Sequence, residues 1–240
     1  MKAIKKISLV VLMAGLVAVM PNTSFAKKYV RGNGNVKKET RKVSSFDALN
    51  ISSAFEVYLT QGNSESLVIE ADDNLLDIIK TEVRGGVLKI YVDANIRHSK
   101  TMKAYISFKM LNMIELSGAC ELYGENKFKL DNLELELSGA SDIKMDFTAN
   151  KVYLDLSGAS DIEFKGSAQR MDIDASGATD LHALDFEVKE CAVDASGACN
   201  IRVFVTDELS VDASGASTVR YKGNPGIEID ISGASSIRRY

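Results

Sequence analysis

The chain runs to 240 residues with 29 basic and 33 acidic side chains, 3 Cys and no Trp. Its acids gather in the second half, where residues 111–240 hold 23 against 12 bases, and this disfavours a nucleic-acid partner. Sugar-cleaving clefts usually carry aromatic platforms, so the missing Trp argues against one.

Residues 1–26 have the form of a cleaved signal peptide. Lys2, Lys5 and Lys6 precede an apolar run from Ile7 to Met20, and Ser24-Phe25-Ala26 offers a small-x-small cleavage site. No Cys follows the run, so no lipid attachment is expected, and no second membrane span is present in the sequence. The mature chain is expected in the periplasm, on the outer-membrane surface or outside the cell. Residues 27–42 hold seven bases and one acid and read as a basic flexible leader, with docking onto acidic parts of the chain as the alternative.

Residues 43–110 read as a β-rich cap. Val43 to Val57 is a degenerate copy of the repeat described next, with Ser53 in the glycine place. Beyond it, Ser66 to Ala71 is expected as a strand and Asn74 to Glu82 as one short helix behind Asp72-Asp73. Arg84-Gly85-Gly86 is a turn, and Val87 to Val92 and Ala104 to Met110 alternate as strands.

From residue 111 to 240 the chain repeats itself. Ser-Gly-Ala begins at Ser117, Ser138, Ser157, Ser176, Ser196, Ser214 and Ser232, spaced 21, 19, 19, 20, 18 and 18 residues apart. Three before the Ser stand Ile114, Leu135, Leu154, Ile173, Val193, Val211 and Ile229. The positions one before and five after are equally apolar in every copy, which is period-2 patterning on either side of a corner. The glycines Gly118, Gly139, Gly158, Gly177, Gly197, Gly215 and Gly233 suggest a backbone with positive φ or a close approach. The spacing predicts an all-β fold: a right-handed parallel β-helix, or solenoid, of about seven coils, its raw end covered by the cap.

With these residues in view, the chain resembles the head GIN domain family, described as "putative auto-transporter adhesins" and a domain of unknown function. The matching features are Val43, Phe46-Asp47 and Ile51, the block from Gln61-Gly62 through Val68-Ile69-Glu70-Ala71-Asp72-Asp73-Asn74-Leu75-Leu76, the strand Gly86-Val87-Leu88-Lys89-Ile90, and the repeated Leu-Ser-Gly-Ala-Ser corner. The resemblance covers nearly all of the mature chain. It implies an exported, solenoid-like protein with no established enzyme activity, and it supplies no functional residues.

Two columns carry the candidate chemistry. Two before each Ser stand Glu115, Glu136, Asp155, Asp174, Asp194, Asp212 and Asp230, and Glu134, Asp172 and Glu228 lie on the same face. Neighbouring copies about 4.8 Å apart repel by about 1 kcal/mol even in bulk water. Raised pKa values and salt screening relieve this on an exposed face. Ca²⁺ bridging adjacent carboxylates, or a basic partner, are the functional alternatives. Six after the Ser, Arg202, Arg220 and Arg238 end a column that begins at Tyr123, and are read as a carboxylate or sulfate ligand site or as edge charges that block end-to-end stacking.

Catalysis finds little support. His98 and His182 are the only histidines, without zinc-like spacing, and no Gly-x-Ser-x-Gly elbow occurs. Cys120 and Cys199 share a corner position four copies apart, about 19 Å by stacking, too far for a disulfide. Cys191 is a small core residue. The leading expectation is a non-enzymatic, adhesin-like envelope protein that binds a glycan or another envelope protein, with no cofactor unless Ca²⁺. The alternatives are a polysaccharide lyase or hydrolase, and a structural envelope component that oligomerises end to end.

Overall fold

A computed structural model describes residues 29–240, so the signal-peptide reading of residues 1–26 lies outside the described residues. Period-2 alternation builds what is described. In chain order the strands are β1 (Tyr29–Arg31), β2 (Val36–Arg41), β3 (Ala48–Ser53), β4 (Glu56–Gln61), β5 (Ser66–Asp72) and β6 (Ile79–Arg84). Next come β7 (Val87–Val92), β8 (Asn95–His98), β9 (Met102–Phe108), β10 (Met113–Gly118), β11 (Glu121–Gly124) and β12 (Phe128–Lys129). The last six are β13 (Asn132–Gly177), β14 (Asp180–Gly197), β15 (Asn200–Ala213), β16 (Thr218–Lys222), β17 (Gly226–Ile231) and β18 (Ser236–Arg239). β1 and β8 pair with each other, and all the others belong to one 16-stranded sheet.

Within that sheet each copy of the repeat lies in parallel register on the next. Ile114, Leu116 and Ser117 pair with Leu135, Leu137 and Ser138, and Ile173 pairs with Val193. Val193 in turn pairs with Val211, and Val211 with Ile229. The degenerate copy keeps the same register, with Leu49, Ile51 and Ser52 on Ile114, Leu116 and Ser117. β7 extends it once more, Leu88 and Ile90 pairing with Leu49 and Ile51, although it carries no Ser-Gly-Ala. Antiparallel β5, β2 and β6 finish that end of the sheet.

Up to the last copy the columns so formed point inward and are buried, as at Leu49, Ile114, Leu135 and Leu154. A ladder of rings fills the rest of the core: Phe108 packs 5.1 Å from Phe128, and Phe147 lies 5.1 Å from Phe164 and 4.7 Å from Phe186. At the corners the backbone leaves no room for a side chain. Gly158 has φ +107°, and a Cβ there would stand 2.2 Å from the carbonyl oxygen of Gly139. Gly166 is tighter still, with φ +121° and a would-be Cβ 1.9 Å from the oxygen of Phe147.

The architecture predicted from the spacing, a right-handed parallel β-solenoid of about seven coils with a helix-bearing cap, is corrected. The sheet is nearly closed and barrel-like around a single core, and the described residues contain no α-helix. Two of the corners do not divide it into short strands, because the strand runs through them: β13 continues for 46 residues, past Ser138 and Ser157, and ends at Gly177. The expected helix at 74–82 reduces to a 3-10 turn, Asp73–Leu75. Ile79, Thr81 and Val83 are β-branched, and they belong to β6, paired antiparallel with β7.

The described part of the basic segment, expected as a flexible leader, carries β1 and β2. Its bases meet acids near the sheet's antiparallel end, with Lys37 2.9 Å from Asp73 and Lys38 3.4 Å from Glu70. The three cysteines are free and buried. Burial pushes the thiols of Cys120 and Cys191 above their ordinary range.

Candidate functional site

Parallel in-register pairing converts a column in the sequence into a row on the surface, and two rows run across the sheet. The first is the carboxylate row. Glu115 pairs with Glu136, Asp174 with Asp194, Asp194 with Asp212 and Asp212 with Asp230, and Asp155 lies within β13 between them. Its head is not acidic. Lys89 pairs with Asn50, Asn50 pairs with Glu115, and the Asn50 amide donates a hydrogen bond to the Glu115 carboxylate. The flank has a base too, since Arg170 Nε donates to both Asp172 oxygens at 3.0 Å. Where such relief is lacking the repulsion registers. Burial, then the charges of Glu134, Glu115 and Asp155, hold the Glu136 carboxyl above the usual range. The row is a line of pairs, and among the described residues no three His, Cys, Asp or Glu side chains cluster to hold a metal ion.

The second row begins in tyrosine and ends in arginine. Tyr105 pairs with Tyr58, Tyr58 with Tyr123 and Tyr123 with Lys144. Glu163 then pairs with His182, His182 with Arg202, Arg202 with Arg220 and Arg220 with Arg238. The three tyrosine rings stack, Tyr58 lying 5.1 Å from Tyr105 at 12° and 5.6 Å from Tyr123 at 28°. Carboxylates anchor them. Tyr58 OH donates to Glu56, Tyr105 OH to Glu70 at 2.9 Å, and Tyr123 OH to Glu121 at 2.7 Å. The bond to Glu121, with burial and the Glu121 charge behind it, pushes the Tyr123 phenol up to about 12. The Tyr58 hydrogen bond and Lys103, 3.0 Å from Glu56, hold the Glu56 carboxyl low.

Beyond the stack, Tyr123 borders a cavity of about 480 Å³ whose other polar lining includes Asp142, Lys144, Asp161, Glu163 and His182. Lys165 lies 3.1 Å from Glu163 and Lys144 3.8 Å. The Lys165 hydrogen bond holds Glu163 low, and Glu163 holds Lys165 high. Asp180 gathers the next polar group, with His182 Nε2 at 2.9 Å and Arg202 Nη1 at 3.1 Å. A separate cavity of about 650 Å³, lined by Val92, Ile96, Met102, Arg97 and His98 among others, opens beside the corner of β10.

The sequence-predicted residues therefore fall into place unequally. Arg202, Arg220 and Arg238 share one row, Arg202 beside His182 of the cavity lining and the other two beyond it, and the carboxylates form a row of their own. Tyr58 and Tyr105 were not anticipated. Tyr58 stands six after Ser52, so the degenerate copy signalled it; Tyr105 follows no corner and gave no signal.

The family model described as "Putative auto-transporter adhesin, head GIN domain" matches residues 45–225. The chain belongs to that family. Its fold is shared with several crystal structures. A putative adhesin from Bacteroides fragilis is 24% identical with a TM-score of 0.83, over 88% of this chain and 100% of that one. A putative lipid binding protein from Parabacteroides distasonis is 22% identical with a TM-score of 0.72, over 89% and 100%. A putative adhesin from Parabacteroides merdae is 18% identical with a TM-score of 0.63, over 90% and 100%. Comparison with curated proteins gives no match. Membership of an adhesin family points to an exported or surface protein that binds other molecules. Among the described residues no helix is long and apolar enough to cross a membrane.

Proposed function

We propose that this head GIN domain protein is an exported, non-enzymatic, adhesin-like binding protein of the cell envelope whose ligand is a glycan. The observation that carries this reading is the tyrosine stack bordering the 480 Å³ cavity. A sugar needs an aromatic face for its C–H edge and fixed polar groups for its hydroxyls. Tyr123 can supply the first, and Asp142, Asp161, Glu163 and Lys144 the second. Proton-transfer chemistry needs a base or acid poised near neutrality. Here Glu163 and Lys165 hold each other, the carboxyl low and the ammonium high, so neither member of that pair is a poised acid or base.

The test is titration of the purified protein with a panel of neutral and amino-bearing oligosaccharides, in Ca²⁺ and again in EDTA. Binding is expected to persist in EDTA, and Tyr123→Ala should weaken it about 30-fold or more, the scale of a buried aromatic anchor. A panel without binders, or affinity indifferent to Tyr123→Ala, overturns the reading. A second reading, an acyl-bearing ligand, is favoured by the apolar cavity at Val92, Ile96 and Met102 with Arg97 and His98 at its rim. The P. distasonis neighbour, described as a putative lipid binding protein, agrees with it. Titrating a fluorescent fatty acid in the same series separates the two.

A further inference from the structure

The two ends of the 16-stranded sheet are finished differently. At one end antiparallel β5, β2 and β6 close the stack, and β2 presents Lys37, Lys38 and Arg41. At the other, β17 pairs only with β15 and β18 only with β16, so their outer backbone groups have no strand partner among the described residues. Ile227, Ile229 and Ile231 of β17 are 41%, 46% and 42% exposed. The residues they pair with, Leu209, Val211 and Ala213, are 1–2% exposed. Three core positions of the repeat therefore stand uncovered on an open strand edge, which is a template for further pairing.

We infer that this edge is covered by the same edge of a second copy of the chain, related by a two-fold axis through the Ser232-Gly233-Ala234-Ser235 corner. The opposite end of the sheet is a poor cover, since its β2 edge is charged where the isoleucines need an apolar face. The strands β17 and β18 run into and out of one corner. A two-fold through that corner lays β17 of one copy antiparallel on β18 of the other, and closes the contact after two chains. Charge selects this arrangement. Pairing β17 with itself would set Glu228 and Asp230 against their own copies. Pairing it with β18 sets them against Arg238 of the second copy and brings Ile229 and Ile231 toward its Ile237. Each carboxylate row, ending Asp194, Asp212, Asp230, then runs on into the second copy's arginine row, Arg238, Arg220, Arg202. The arginines thus stand at the one end of the sheet where a second copy brings carboxylates to them.

Sedimentation velocity of the purified protein, from micromolar to submillimolar concentration, tests this. A reversible monomer–dimer equilibrium is expected. Ile229→Lys should raise the dissociation constant about 30-fold or more, and Arg238→Glu about tenfold. Combining Arg238→Glu with Glu228→Arg and Asp230→Arg should restore the dimer, a result that general misfolding could not produce. A monomer at every concentration overturns the inference. So does a dimer indifferent to both single variants, failure of the combined variant to recover, or open-ended growth into filaments.

Discussion

The corner glycines and the carboxylates two residues before each corner serine recur equally often, yet they recur for opposite reasons. At Gly158 the neighbouring backbone, 2.2 Å from any Cβ, forbids another residue. At Glu136 nothing forbids another residue, and the carboxylate is held against burial and three neighbouring charges. One column repeats because geometry demands it; the other repeats in spite of its electrostatic cost. Repetition alone does not distinguish them, and only the packing does.

The sharpest way to break this contrast is Gly158→Val. A β-branched residue at φ +107° combines backbone strain with a clash against Gly139, and should cost ~4 kcal/mol or more. Thermal and denaturant unfolding should show a grossly destabilised or unfolded chain; a melting temperature near that of the native protein would remove the geometric reading of the corner.

A smaller effect is expected from pH. The folded Glu136 carboxyl sits above the ordinary range, so the unfolded chain releases this proton first as pH rises. Its contribution to stability is therefore lost upward, from the ordinary glutamate value of about 4.3 to the raised folded value. Glu56 and Glu163 are held low, and their contributions are lost in the other direction, as pH falls below the ordinary range. Glu136→Gln should flatten the decline within that window without touching the acid limb. An unchanged melting-temperature profile would contradict the assignment.

The least effect should come from Asp155→Asn, which removes one exposed charge from the row and should move stability by less than about 0.5 kcal/mol, upward if at all. Strong destabilisation by this change would mean that the row holds a cation or a basic partner, and the contrast with the glycines would collapse.

The sequence exposed whatever the register repeats. Ile114, Leu135 and Leu154 could be aligned because they sit at a fixed distance from each corner serine, and so could the carboxylates and arginines. The phenylalanine ladder could not. Phe128 stands eleven residues after its serine and Phe147 nine after its own, because the 18- to 21-residue spacing changes length in that part of the repeat. Gly166 was hidden for the same reason. β7 joins the repeat register without the Ser-Gly-Ala mark, leaving only its alternation to read. The helix expected at 74–82 rested on capping signals at Asp72-Asp73, and tertiary pairing of β6 with β7 overrode them. The corners were legible as turns but not as places where hydrogen bonding continues, which is why a sheet that wraps through them was read as a set of separate coils. Of the candidate site, the arginines were legible by position, whereas the contact among Tyr58, Tyr105 and Tyr123 depends on strands brought together from 65 residues apart.

The tyrosine stack gives the protein an optical property of its own. With no Trp in the chain, near-ultraviolet absorption and fluorescence come from Tyr and Phe alone. Three phenol rings held 5.1 and 5.6 Å apart in near-parallel planes are close enough for their transition dipoles to couple. The near-ultraviolet circular dichroism should therefore carry an exciton signal dominated by this one surface. A molecule settling against Tyr123 would change that signal directly, so occupancy of the cavity could be followed in the unlabelled protein, in solution and in real time.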